Sequence, residues 1–292
     1  KGQRCHRCVI GFSAARSVMT DPVATEEFFP CMRADAESDL GYVGGNGRTK
    51  PVLMSVRDAD DNTTDCVVKL AGHLTEAPLE YLCEWVSWAV ARRVGVGCPD
   101  MRAVTISPAF AAQLRTDPPS VAGQSVGLAF GSVTCPAPPV GPEMELTAEL
   151  TLQAWRLITL DVLLLNPDRR RTNPNLLYAR SRLIAIDHEL ACRFHLPLIG
   201  IHPATDAGTS IVADHILKDA LKQRRKPAPI AELLASFASV DDSFFAALLE
   251  HTPREWTTGC ASGKLEQMVT VLRTRQSNAS TWLPQMVQAV KS

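Results

Sequence analysis

Asp168 and Asn173 stand five positions apart in the stretch NPDRRRTNPNLL, and Asp187 ends the next apolar run, LIAID. Phosphoryl transfer calls for these residue types in this order. It needs a carboxylate to orient and deprotonate an acceptor hydroxyl, and oxygen ligands for the metal ions that bridge the phosphates. Asp168 is the candidate base, with Asn173 and Asp187 the candidate metal ligands. The same chemistry needs a cation on the phosphates that stay behind. Lys69, which closes the apolar run CVVKL, is that candidate, and Glu84 is placed to hold it as an ion pair. Each residue has an ordinary alternative. Asp and Asn in a loop punctuated by proline commonly cap turns, a lysine at a strand end is commonly solvated, and Glu76 and Glu80 compete with Glu84. The order Lys, Glu, Asp, Asn, Asp along one chain favours the chemical reading.

The elements that must position these residues fall into two regimes. Residues 27–70 alternate like strands: FFPCMR, a glycine turn GGNGRT, then PVLMSVRD, a polar turn, and CVVKL. LEYLCEWVSWAVARRV, residues 79–94, has apolar positions at helical spacing and stops at Gly95, which predicts one amphipathic helix. The strands AVTISP and VGLAFGSV follow, and CPAPPVGPE reads as a linker, with a boundary near residue 140. Beyond it the pattern predicts a long buried helix over MELTAELTLQAWRLITLDVLLLN and a hairpin over NLLYARSRLIAID. Helical segments follow at SIVADHILKDALKQ, PIAELLASFA, SFFAALLEH and from Leu265 onward. The glycine turn fits an ordinary Asn-Gly hairpin as well as a phosphate-covering loop. It is not a P-loop, because Gly-x4-Gly-Lys-Ser/Thr is absent.

Composition bounds the partners. The chain has 292 residues, enough for about two domains, and is 46% hydrophobic, enough to bury a core. Thirty basic residues against thirty-one acidic ones give no global pull toward nucleic acid or membrane. No apolar run reaches the roughly eighteen residues of a membrane span. Nine cysteines without paired spacing argue against a disulfide framework and predict a cytoplasmic protein. Cys5 and Cys8 would supply only half a zinc site.

With these motifs in view, the chain resembles the HipA-like kinases, which are related to the persister toxin HipA and more distantly to phosphatidylinositol kinases. The resemblance covers about residues 27–275. It is carried by GRTKPVLM, VVKL, Glu84 ahead of GVGCP, NPDRRRTNPNLL, AIDHELA and HTPREW. It implies an α+β, two-lobed protein-kinase-like fold, with an N-terminal extension over 1–26, a small β-rich lobe with one helix over 27–140, and a mostly helical lobe over 141–292. It also implies ATP and magnesium bound between the lobes, and transfer of the γ-phosphoryl group to a Ser or Thr of a protein. Two positions depart from the pattern: Arg170 stands where HipA has His, and Glu189 where Gly is usual.

On this reading Asp168, Lys69 and Glu84 are catalytic, and Asn173 and Asp187 hold metal. Gly44, Gly45, Gly47, Arg48 and Thr49 cover the phosphates together with Lys69, and Phe130, Gly131 and Val133 lie in the segment that holds adenine through its backbone. Arg169, Asp161 and His188 are expected to brace the loops. The expected partner is a protein substrate, with an antitoxin or regulatory protein as a further expectation. The contrary class is a pseudokinase-like binding module that keeps the fold and acts through a partner, a reading favoured by Glu189. A nucleic-acid-binding regulator has only Arg169, Arg170 and Arg171 behind it.

Overall fold

A computed structural model describes residues 33–43, 49–194 and 203–292. It is a mixed α/β structure, β-rich in its N-terminal part and helical in its C-terminal part. Five strands form a closed barrel in the order β1 (Arg33–Tyr42), β2 (Val52–Asp58), β3 (Thr63–Lys69), β5 (Gly127–Val133), β4 (Met101–Ile106). All neighbours are antiparallel except β1 and β4, whose parallel pairing closes the barrel and removes its free edges. Alternation explains β2 and β3: Val52, Met54 and Val56 are buried, and across the ladder Val52 meets Val68 and Met54 meets Cys66. β1 differs from expectation. The predicted strand FFPCMR lies outside the described residues up to Met32, and the described strand is the polar run RADAESDLGY. Its strand character comes from pairing on both sides rather than from its own apolar content, and its ladder with β2 is bulged near Glu37 and Leu40.

α1 (Ala77–Arg93) follows β3 and ends as the glycine predicted. Gly95 has φ +73°, and the Val96 amide reaches back to the Ala91 carbonyl, the arrangement of a Schellman cap. The helix is not amphipathic in the fold. Every residue from Leu79 to Ala91 is buried, Glu80, Glu84 and Ser87 included. It packs on β5 and against the C-terminal segments Arg254–Thr257 and Gly259–Ala261. Trp85 donates its Nε1 hydrogen to Thr252 Oγ1 at 2.7 Å. Trp256 packs against Tyr81, Trp85 and Phe130 and donates to the Leu128 carbonyl at 2.9 Å.

Two short helices, α2 (Pro108–Ala111) and α3 (Ser120–Gln124), separate β4 from β5. The chain then runs antiparallel to the hairpin of β6 (Leu176–Ala179) and β7 (Arg182–Ala185), with backbone hydrogen bonds from Tyr178 to Pro138 and from Val140 to Leu176. Gly97 lies against the same hairpin. A Cβ there would stand 2.5 Å from the Leu183 carbonyl oxygen, so only glycine admits the Ala185 amide bond to the Gly97 carbonyl at 2.8 Å.

α4 (Ala148–Leu163) is the buried axis of the helical part, capped at its start by the Thr147 hydroxyl. The predicted single helix over 210–223 is instead two short ones, α5 (Thr209–Ala213) and α6 (Lys218–Lys222). The break between them turns His215 inward and lets the Ile216 amide bond the Arg169 carbonyl at 3.2 Å. α7 (Ile230–Ala238), α8 (Asp242–His251), α9 (Lys264–Ser277) and α10 (Ala279–Lys291) complete the part, with α10 burying Trp282, Leu283, Met286 and Val290 at helical spacing. Arg275, fully buried on α9, donates to the carbonyls of Val162 and Leu163 and so caps the end of α4. Among the described residues no helix is long and apolar enough to cross a membrane.

The Gly97 contact yields a stability prediction. Gly97→Ala should cost about 1–3 kcal/mol by urea denaturation, because the methyl meets a backbone oxygen that cannot step aside. Gly123→Ala, whose added methyl meets nothing within 4 Å, should leave the midpoint at or slightly above wild type.

Candidate functional site

The site starts at the end of α4, where Leu165 takes a left-handed conformation with φ +49° and the chain turns into the Asn166–Asn175 loop. Asp161, fully buried, organises that loop. It accepts hydrogen bonds from Arg169 Nε at 2.6 Å, Asn166 Nδ2 at 2.8 Å and His215 Nε2 at 3.0 Å. Burial alone would raise its carboxyl, but the Arg169 guanidinium outweighs burial and holds it well below the usual carboxylate range. Burial lowers His215, so the ring is neutral at pH 7. Its Nε2 hydrogen then goes to Asp161 while Nδ1 accepts from the Leu217 amide at 3.2 Å.

Arg169 carries the order outward. Its Nη1 donates to the carbonyls of Asn175 and Ile186, and its Nη2 meets His188 Nε2 at 3.0 Å. One buried guanidinium therefore ties the loop bearing Asp168 to the residues on both sides of Asp187. Asp161, Arg169 and His188 stand in the bracing positions expected of them.

Asp168 faces partly outward. Its Oδ2 accepts from Asn173 Nδ2 at 2.8 Å and Asn175 Nδ2 at 3.1 Å, and its Oδ1 from Arg170 Nη2 at 3.1 Å. Paired backbone bonds between Arg170 and Asn173 close the turn that makes this possible. Sequence reasoning missed Asn175. Its left-handed φ of +43° is one that Asn tolerates well, and the repeated Asn in NPN was the available signal.

The second cluster centres on Lys69, buried at the end of β3 and steadied by the Tyr81 hydroxyl, which donates to the Lys69 carbonyl at 2.8 Å. Its ammonium is 2.5 Å from Glu84 Oε1, 2.5 Å from Asp187 Oδ1 and 2.7 Å from Glu189 Oε2. The three carboxylates offer oxygens within 4.8 Å of one another, a set of hard donors that suits a hard divalent cation. Burial works against the Lys69 charge, and the carboxylates overcome it and raise its pKa. Burial would likewise raise Glu84, which Lys69 instead pulls down; for Glu189 burial, reinforced by Asp187, prevails and the carboxyl is raised. The choice among three glutamates is resolved by geometry, since Glu76 and Glu80 pair with Arg193 at 3.3 and 3.0 Å while Glu84 takes Lys69. Asp187 itself has φ +57°, a left-handed conformation that Asp, like Asn, adopts more readily than most residues.

Gly44, Gly45, Gly47 and Arg48 lie outside the described residues. Thr49, next to them, is buried where the chain returns toward β2. The adenine expectation needs correction. Phe130 and Gly131 pair with β3 on one side and β4 on the other, so their backbone groups belong to the barrel. The Phe130 ring is buried against Trp256, Gly131 lies against Val104 and Val68, and the Val133 amide is bonded to the Asp100 carbonyl. The first backbone beyond these ladders follows Thr134, whose amide still bonds Asp65.

A lysine held by a helix glutamate and facing an Asp just beyond a strand, tied through Arg169 to an Asp-Asn loop, is the set of residue types that phosphoryl transfer calls for. In keeping with it, the family model described as HipA-like kinase matches residues 46–279. The chain belongs to the HipA-like kinase family, a family of phosphotransferases. No curated protein matches it.

Removing one partner of the Asp161–Arg169 pair leaves the other as an uncompensated buried charge. Asp161→Asn should therefore cost about 3–5 kcal/mol in denaturant unfolding. In a double-mutant cycle with Arg169→Met the combined loss should fall well short of the sum, as expected for groups that act on each other.

Proposed function

We propose that this protein is an ATP- and magnesium-dependent kinase with a two-lobed protein-kinase-like fold, the barrel with α1 forming one lobe and the helical part the other, and that it phosphorylates a Ser or Thr of a protein. The observation that carries this reading is the meeting of Lys69 and Asp187, 118 residues apart in the chain, beside a loop that presents Asp168 and Asn173.

Lys69, aligned by Glu84, would neutralise the non-transferred phosphates. Asp187 would hold the cation, and so would Asn173, whose amide nitrogen is committed to Asp168 so that its Oδ1 remains the acceptor. When bound, the cation supplies charge neutralisation across the bridging phosphate oxygens. Asp168 would accept the acceptor hydroxyl's proton on Oδ1 or Oδ2 as the oxygen attacks, its orientation fixed by Asn173 and Asn175. Residues 44–49, which lie between β1 and β2 in the sequence, would cover the phosphates. Adenine would bind the open backbone of Cys135–Ala137, one step beyond the paired β5 residues. The six described cysteines are all unpaired thiols, which supports a reducing cytoplasmic location. The binding-module reading keeps one observation in its favour, the engagement of Lys69 by Glu189.

The two aspartates have separable jobs. Asp187→Asn should weaken metal-dependent ATP binding and transfer together. Asp168→Asn should keep ATP affinity near wild type while transfer falls by about 10²–10⁴-fold, the usual range for a general base. Calorimetric ATP affinity beside phosphate transfer to a lysate protein reads both. Wild type that binds ATP with magnesium, transfers nothing and is indistinguishable from Asp168→Asn would hand the fold to the binding-module reading. Magnesium and ATP together should also raise the melting temperature, with about 2.7 kcal/mol of added stability at a hundredfold excess over Kd.

A further inference from the structure

An ammonium has three N–H donors, and on Lys69 all three are within hydrogen-bond distance of carboxylates. Two of these contacts have a part in the proposed function, since Glu84 aligns Lys69 and Asp187 turns to the cation. Glu189 is given no part in the proposed function, although its carboxylate stands with Glu84 and Asp187 among the oxygens that suit a cation. It leaves the turn after β7 two residues beyond Asp187, is 5% exposed, and puts Oε2 at 2.7 Å from Nζ. That is an anionic oxygen at the distance and on the donor that a phosphate oxygen would use. We propose that Glu189 is an internal stand-in for a nucleotide phosphate oxygen on Lys69, so that nucleotide binding must displace a competitor built into the chain.

The inference rests on the reading that Lys69 receives phosphates, and it follows from charge. In the cluster one ammonium faces three carboxylates, and a nucleotide would add further negative charge to the same space. Glu189 then both holds the donor that the phosphate needs and repels the phosphate as it arrives. The position is reached by the side chain alone, since the Glu189 backbone is fixed separately, its carbonyl accepting from Arg193 Nε at 3.1 Å.

The test is Glu189→Gln, which keeps the shape and removes the charge, read by calorimetry with ATP, ADP and adenosine in the presence of magnesium, alongside the melting temperature of the free protein. ATP and ADP should bind about tenfold tighter than to wild type, because a like charge close to the phosphates is gone. Adenosine, which carries no phosphate, should bind unchanged. ATP affinity that stays the same overturns the proposal. Affinity that falls overturns it too and makes Glu189 a ligand of the cation. Equal tightening of adenosine overturns it by showing a general loosening of the pocket. If neither wild type nor variant binds any nucleotide at millimolar concentration, the proposed function itself fails, whereas nucleotide binding that ignores position 189 sinks only the stand-in. Should Glu189→Gln not fold, Glu189→Asp withdraws the carboxylate by one methylene. It should tighten ATP by a smaller factor, and no change there counts against the proposal equally.

Discussion

The ion pair between Asp161 and Arg169 is the contact on which the rest of the site depends. Neither side chain is exposed at all, and the pair lies between the end of α4, the Asp168 loop and the residues around Asp187. Two ions buried this way do not contribute much net stability, because their desolvation cancels most of their attraction. What the pair contributes is position. The guanidinium has donors left for the Asn175 and Ile186 carbonyls, and those bonds exist only while Asp161 holds Arg169 in place. Arg275 fixes the same helix end from the other side by taking the Val162 and Leu163 carbonyls. The turn from α4 into the loop is thus set by two buried arginines, one behind the helix and one in front of it.

The Lys69 cluster has the opposite character. It gathers one ammonium and three carboxylates from β3, α1 and the turn after β7, and its formal charge does not balance. A fold tolerates such an excess where a cation or a proton makes up the difference. Within the cluster the Glu189 carboxyl is raised first by burial and then by Asp187, against the pull of Lys69. The Asp161 pair is a closed arrangement, with every donor and acceptor spoken for, while the Lys69 cluster stays open to exchange. Structural rigidity and chemical responsiveness are separated by only the span of one arginine, whose far side touches His188, itself 3.8 Å from Glu84.

Much of this was legible in the sequence because it was carried by local spacing. The Asp-x4-Asn loop, the strand-ending Asp187 and the lysine closing β3 are short-range patterns, and the hairpin, α1 and α7–α10 follow from periodicity. What escaped was set by distant partners. β1 is a polar strand because β2 and β4 pair with it. The helix predicted over 210–223 breaks because His215 is drawn to Asp161, 54 residues away. α1 has the spacing of an amphipathic helix, yet its polar residues Glu80, Glu84 and Ser87 are buried against Arg193, Lys69 and Cys192, while Thr252 and Trp256 cover Trp85 and Tyr81, contacts that no local pattern encodes. The expectation that GLAFGSV offers free backbone failed for a related reason. GLAFGSV reads as a strand, but only the closed barrel shows that both of its edges are taken.

The covering of α1 bears on how the site can respond. In a helix with one free side, the glutamate that aligns the lysine can be swung in and out by rotating the whole element. Here, rotation would bring Leu82, Trp85, Val86 and Trp88 toward water, all buried now, at about 2 kcal/mol or more for each side chain, so roughly 8 kcal/mol in all. It would also break the Trp85 bond to Thr252 and part Trp256 from Tyr81. Releasing Lys69 from one carboxylate in favour of another anion exchanges one charged contact for another and moves only side chains. The cheaper motion belongs to Lys69, Asp187 and Glu189, on an α1 already locked with Glu84 in place. The C-terminal segment around Trp256 therefore holds α1 with Glu84 on Lys69, and leaves the exchange of partners on Lys69 as the step through which the proposed nucleotide would enter the site.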